Sequence, residues 1–482
     1  MAHLSVNEPY MQKPERSGYE KLVVLVAKAY LILLPIRMIA PLLFLQDYLG
    51  VTANYFDLVL HLMGLILIVL GSRGVIQIGK DKTSRLFHYF VLMIVWFNLS
   101  SVVMAIVMQS VHGNIGNESA FSGIAGMLVY FTQYVFIVFY NKEIFRYITK
   151  EEIIGLLNKL VLFLFILGYF QIAVMVSGGL FASLYDKLDI LDIVRNSEKL
   201  PKLCLTGSEG ASAGTLIGTF VFPFIMAKVF VQRKWLKNII FLLAWLPVVY
   251  FTYSSTAYIL IAIDILVFCL FYMIKVKRGI DSIVMGLLFS IGLIAVLLFP
   301  VSFANLLPSD VGEKVEYLLT EKATDKANGS TVSRLVPLYV NWGAFMEYPI
   351  LGVGNGNQGY FYEKYFPEFA WNVAGSDASV FLERSRGGIS NGGVFIPSLL
   401  SGYGIVGVIW ILIYIMKCLR HVKSNRNKLG LFYYMFHISW IAILVTGLQG
   451  DFVGNYYLWF LLSIPFMAYT KTNQTTRIQV EK

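Results

Sequence analysis

The chain has 482 residues, of which 57% are hydrophobic and only 14% charged, with a formal net charge of +10. This composition excludes a soluble globular domain and points to an all-α polytopic membrane protein, because its apolar runs approach the roughly 20 residues needed to cross a bilayer. In such a protein the basic excess belongs on cytoplasmic loops and implies no nucleic-acid partner.

Taken in order, residues 1–21 are polar and carry Lys13, Arg16 and Lys21, without the short apolar run and small-residue site of a cleaved signal peptide. Apolar runs then fall near 22–45, 55–75, 85–108, 119–140, 153–180, 209–231, 236–255, 256–274, 280–304, 393–416, 430–448 and 452–470, about twelve candidate transmembrane helices. Lys and Arg outside the spans lie more than two to one on the loops of one side, which is therefore read as cytoplasmic and holds both termini. The expected organisation is transmembrane helices 1–9 over 1–304 with an outer segment at 181–208, an extracytoplasmic cap loop at 305–391, and helices 10–12 with a cytoplasmic tail over 392–482. Cys204, Cys269 and Cys418 then fall outside, within and inside the membrane, so they neither pair nor match a metal spacing.

Ionisable residues inside spans are costly and informative. Lys28 and Lys159 sit near cytoplasmic ends, where a long side chain reaches the interface. Arg37 and Asp264 lie deeper and should face the bundle interior. At the outer edge of the sixth span stands Lys202-Leu-Cys-Leu-Thr-Gly-Ser-Glu209, followed by Gly-Ala-Ser-Ala-Gly. A carboxylate entering the membrane among small residues suits a substrate cavity, and equally suits an acid favoured by a helix N-terminus.

In the cap loop, Ser309 to Ala323 places Val311, Val315, Leu318 and Leu319 on one stripe, the pattern of an amphipathic helix at the interface. A second helix is expected over about 336–348, with Leu338, Trp342 and Phe345 at helical spacing, Pro337 in its first turn and Pro349 as its stop. Arg334 would then stand just before a helix N-terminus, where backbone donors and a cation can face one anion; pairing with a nearby carboxylate is the alternative. Gly354-Asn-Gly356-Asn-Gln-Gly359 matches a dinucleotide fingerprint by letter but lacks a βαβ context, so a tight turn is the better reading. No Ser-His-Asp set, zinc pair or phosphate loop is present, and no cofactor or metal is implied.

Together these segments resemble the O-antigen polymerase (Wzy-type) and O-antigen ligase superfamily of bacterial membrane glycosyltransferases. The family's basic residue, Gly-Leu and Glu-Pro-Ser motif is similar to Lys202 through Ser212, and its Arg, helix and Pro-Leu-Leu-Gly-x-Gly motif is similar to Arg334 through Pro349-Ile-Leu-Gly352-Val-Gly354. Its Asn-rich loop end and Gly-x-x-Gly span resemble Ser390-Asn391 and Gly402-Tyr-Gly404-Ile-Val-Gly407. Two features depart from the pattern. The 305–391 loop contains no His, where ligases of the family carry one, and Ser254-Ser255-Thr256 lacks the family's Arg.

The resemblance implies a GT-C-like fold in the bacterial cytoplasmic membrane and a polyprenyl-diphosphate-linked oligosaccharide as substrate, with a flippase and a chain-length regulator as partners. Departure of a diphosphate is stabilised by guanidinium forks, for which Arg334, Arg384 and Arg386 are candidates. The acceptor hydroxyl needs a base, for which Glu209 is the first candidate and Glu383 the second. Lys202 and Asn391 complete the substrate-binding set, and Tyr339, Trp342 and Tyr348 are placed to stack on sugar faces, although aromatics at helical spacing more often form core. Polymerisation of repeat units is the leading function; transfer of a finished glycan to another acceptor, and a transporter or flippase using Arg37 and Asp264, are the alternatives.

Overall fold

The computed structural model of the chain describes residues 17–35, 55–71, 82–114, 119–177, 203–206, 210–232, 235–275, 329–371, 395–449 and 456–468, and these are helical throughout apart from their connections. The first helix, α1 (Gly18–Leu33), opens with a capping box in which Ser17 and Glu20 each bond the other's backbone N–H at 3.2 Å. There follow α2 (Tyr55–Gly71), α3 (Lys82–His112), α4 (Ser122–Tyr147) and α5 (Lys150–Ser177). Next come α6 (Gly210–Val231), α7 (Trp235–Phe251, bent at Trp245) and α8 (Ser255–Lys275). The expected span at 280–304 and the helix at 309–323 lie outside the described residues.

The long loop contributes α9 (Gly329–Glu347), α10 (Gly359–Tyr365) and α11 (Glu368–Trp371). The chain ends with α12 (Phe395–Ser424), α13 (Leu431–Gln449) and α14 (Tyr456–Ser463). Among the described residues four helices are long and apolar enough to cross a membrane: Thr83–His112, Lys150–Val176, Gly210–Val231 and Ile396–Ser424.

Burial sorts these spans into centre and rim. The apolar window of α6 is 83% buried, whereas those of α5 and α12 are 28% buried, so α6 runs through the middle and the other two line the edge. The glycines of α6 set its place. A Cβ on Gly210, Gly214 or Gly218 would stand 2.2, 2.6 and 2.5 Å from Thr252 O, Ala257 Cβ and Leu260 Cβ, so the helix lies directly against α8 and the turn before it. Halfway along, residues Ile217–Val221 widen into a π turn, just ahead of Pro223. Proline has no N–H and crowds the carbonyl four residues back, and the slack appears as the bond from Phe222 N–H to Ile217 O.

Two of the ionisable residues inside the expected spans differ in their surroundings. Lys28 pairs with Glu152 at 3.1 Å across α1 and α5. Asp264 on α8 is wholly buried, and neither of its oxygens meets a hydrogen-bond partner among the described residues. Arg37, its suggested partner, lies outside them.

Candidate functional site

The loop elements build a second, smaller core on the His112 end of α3. Met104 and Met108 of α3 pack with Val336, Val340 and Ala344 of α9, Val353, and Phe361 and Tyr362 of α10. Two sequence expectations change here. Helix α9 begins at Gly329, not near 336, so Pro337 lies in its interior and Arg334 within the helix, not ahead of its N-terminus. Proline is tolerated there although it removes a backbone donor; the neighbouring Asn341 turns its Nδ2 back onto Pro337 O at 2.6 Å. The buried stripe is also the opposite one. Leu338, Tyr339 and Trp342 face outward, and the positions that pack are Val336, Val340 and Ala344.

Past α9 the chain makes its most constrained turn. Helix α12 is broken at Gly404, whose φ of 60° and ψ of −163° are open to glycine alone. A broken helix frees carbonyls on one side and N–H groups on the other. The segment Pro349–Gly354 answers both sides. Val353 N and Gly354 N donate to Ser401 O and Gly402 O at 2.8 and 2.9 Å, and Ile405 N and Val406 N donate to Pro349 O and Ile350 O at 2.8 and 3.3 Å. The two backbones approach so closely that a Cβ on Gly352 would lie 2.4 Å from Ser401 O, and one on Gly404 2.4 Å from Ile350 O. Thus Pro-Ile-Leu-Gly-Val-Gly and Gly-Tyr-Gly-Ile-Val-Gly, far apart in sequence, form one paired unit.

Buried side chains lock it. Ser401 Oγ donates to Asn341 Oδ1 at 2.5 Å, and Gln358 Nε2 reaches Ser401 Oγ and Ser398 O, both at 3.3 Å. Gln358 Oε1 accepts from Gly356 N at 2.9 Å, and Asn357 Nδ2 donates to Val353 O at 2.9 Å. From α3, Ser101 Oγ accepts from Asn355 N at 3.2 Å and Ser100 faces Leu351 O. Asn341, Asn357, Gln358 and Ser401 are all buried, so the network aligns α3, α9 and α12 in a low-dielectric setting where each lost partner is costly. The fingerprint-like Gly354-Asn-Gly356-Asn-Gln-Gly359 is this turn, with φ of 81° and 93° at Gly354 and Gly356.

The exit from α9 is polar. Glu347 accepts from Lys364 Nζ at 2.7 Å and Tyr365 OH at 2.6 Å. Partial burial pushes its carboxyl up, but these hydrogen bonds outweigh it and leave the group below the usual glutamate range. Tyr360 OH donates to Gly113 O at 2.7 Å, tying α10 to the end of α3.

Of the candidate residues, Tyr339 and Trp342 stand on the open face of α9, Tyr339 edge-on to Phe369 and Trp342 against Phe345; neither is core. Tyr348 packs edge-on to Phe361 and is structural. The backbone of Arg334 lies in α9. Lys202, Glu209, Glu383, Arg384, Arg386 and Asn391 lie outside the described residues.

Residues 203–206 before Glu209 and the helix from Gly210 after it are described. Leu205 exchanges two hydrogen bonds with Gln171 at 3.0 Å, Thr206 Oγ1 donates to Pro35 O, and Gly210 abuts Thr252. Gly210, Gly214 and Gly218, after Glu209, make room for α8 and the turn before it. The locking set of Asn341, Gln358, Ser401 and Ser101 was missed. Its one sequence signal is polar residues recurring inside otherwise apolar stretches.

Residues 239–380 match the family described as O-antigen ligase. The match takes in α7 through α11, with Arg334 and Pro349–Gly354, and stops short of Glu209, Glu383 and the later arginines. No curated protein matches the chain.

Proposed function

We propose that this chain, a member of the O-antigen polymerase and ligase superfamily, polymerises polyprenyl-diphosphate-linked oligosaccharide repeat units into a surface polysaccharide at the outer face of the bacterial cytoplasmic membrane. The observation that carries the reading is the pairing of Pro349–Gly354 with the break in α12, which makes a rigid unit of two motifs shared with that superfamily and fixes α9, with Arg334, against it.

In the proposed reaction the bond between the anomeric carbon and the diphosphate oxygen breaks, and its electron pair leaves with the diphosphate. The acceptor hydroxyl forms the new glycosidic bond and gives up its proton to a carboxylate. Arg334, with Arg384 or Arg386, stabilises the leaving diphosphate through its planar donor fork, without a divalent metal. Glu209 accepts the proton, Glu383 standing second. Lys202 and Asn391 hold the substrate, whereas Tyr339 and Trp342, expected from the sequence to stack on its sugars, stand on the outward face of α9.

A ligase reading is favoured by one observation, the description of the matched family. The absence of His from 305–391 speaks for the polymerase. Reconstitution of the purified protein with a lipid-diphosphate oligosaccharide separates the two on a gel. A ladder of products is expected; single transfer to a foreign acceptor makes it a ligase, and unchanged substrate removes glycosyl transfer.

A further inference from the structure

We infer that α9 and the turn after it lie within the membrane leaflet at the His112 end of α3, with the outward face of α9 covered by lipid hydrocarbon and not by water. Nothing in this placement depends on the proposed glycosyl transfer. It rests on α3 and α12 crossing the membrane.

Depth follows from the helices the turn is bonded to. Helix α3 has 31 residues, about 46 Å at 1.5 Å per residue, against a hydrocarbon core of about 30 Å, so about 8 Å overhangs at each end if it is centred. Ser101 stands about 16 Å along that axis from His112, which puts its partner Asn355 N some 8 Å inside the hydrocarbon boundary. Measured on α12, Gly404 lies about 13 Å from Phe395, in agreement. Irregular backbone at that depth is tolerated where protein meets its polar groups, and four backbone hydrogen bonds between Pro349–Gly354 and Ser401–Val406 do this on both sides of the break. The buried face of α9 rests on Met104 and Met108, about 6 to 12 Å below His112, so the helix itself sits at the boundary.

The outward face of α9 is what such a place demands. Between Arg334 and Glu347 the helix carries no charge. Trp342, Met346 and Ile350 are 56, 60 and 65% exposed, an exposed apolar row at a spacing of four residues. Tyr339 and Trp342 supply the amphipathic rings found at membrane boundaries. The patch is continuous with a lipid-facing one. Ile350 O accepts from Val406 N, which sets Ile350 beside Ile405, the first of the outward residues Ile405, Ile409, Leu412 and Met416 on the rim helix α12. The ion pair of Glu347 with Lys364 marks where the surface turns polar.

The test is spin-label accessibility in proteoliposomes of the full chain, in a Cys269→Ser background because Cys204 and Cys418 are buried. Single labels are placed at Trp342→Cys and Met346→Cys, with Ile409→Cys as the lipid reference and Glu363→Cys as the aqueous one. Labels at 342 and 346 should collide with oxygen in preference to an aqueous nickel chelate several-fold more than that at 363, and less than the label at 409, which lies nearer the bilayer midplane. Access of the chelate to 346 equal to that at 363 overturns the placement, and so does protection from both reagents, which would mean that protein covers the face. As a second measurement, bromine-labelled phospholipid should quench intrinsic fluorescence less in Trp342→Phe than in the parent protein; equal quenching removes Trp342 from the leaflet. A preparation inactive in glycosyl transfer that gives the expected pattern leaves the placement standing and counts only against the proposed activity.

Discussion

Two kinds of residue decide this molecule, those that permit a backbone and those that meet a substrate. Gly404 is of the first kind. Its φ of 60° and ψ of −163° exclude an L side chain, and an added Cβ would meet Ile350 O at 2.4 Å. Gly404→Ala should cost on the order of 3 kcal/mol or more, from strain and collision together, and thermal unfolding of purified protein should show it as a large fall in midpoint. Gly430 also has positive φ, 56°, with ψ of −116°, but nothing stands within 4 Å of its missing Cβ, so Gly430→Ala should cost the backbone strain alone, about 2 kcal/mol, and less than Gly404→Ala. Similar losses at the two sites would mean that the clamp on α12 is not tight. Arg334 is proposed to be of the second kind. Its position inside α9 removes the helix N-terminus from the argument and leaves the guanidinium fork. Arg334→Lys should be nearly as damaging to transfer as Arg334→Ala, because lysine keeps the charge and loses the paired donors. A lysine variant with most of its activity would reduce the role to bulk charge. For Glu209→Gln, unimpaired folding with transfer down by a factor on the order of 10² or more is expected of a general base.

At the scale of elements, α6 and α8 show how a small-residue run should be read in a membrane protein. Gly210, Gly214 and Gly218 recur every four residues, and the space they leave is occupied by Thr252, Ala257 and Leu260. Gly214→Leu should therefore separate the two helices and abolish the monodisperse peak on size exclusion, whereas the same change at Gly155, where nothing lies within 4 Å, should leave the peak in place. Much of the helical order was legible, because long apolar runs such as those of α3, α5 and α12 admit one reading. What was not legible turned on partners that sequence does not specify. The period of α9 was visible, yet its apolar residues occur on both sides, and only the core of Met104 and Met108 decides that Val336 and Val340 face in while Trp342 faces out. The motif Pro349–Gly354 was singled out by its letters. So was Gly402-Tyr-Gly404-Ile-Val-Gly407, but their pairing was not legible, since a break in α12 depends on a glycine conformation that single-sequence periodicity passes over.

For the whole molecule orientation can be put to a direct test, because the structure supplies two probes at opposite ends of the packed pair α3 and α12. Tyr360 ties α10 to Gly113 at one end of α3, so Glu363 of α10 marks that side of the membrane. Ser424 closes α12 at the other end, next to the basic turn Arg426–Leu429. Both positions are exposed. From the distribution of Lys and Arg the Ser424 side is proposed to be cytoplasmic, and a donor linked through diphosphate to a polyprenyl carrier would then meet Arg334 from the other. In the Cys269→Ser background, an impermeant maleimide added to intact cells should label Glu363→Cys and not Ser424→Cys, with Ser424→Cys labelled only after permeabilisation. The reverse pattern would put the paired motifs and α9 on the cytoplasmic side, where activated sugar nucleotides are at hand, and the proposed dependence on a preactivated lipid-linked donor would lose its physical basis.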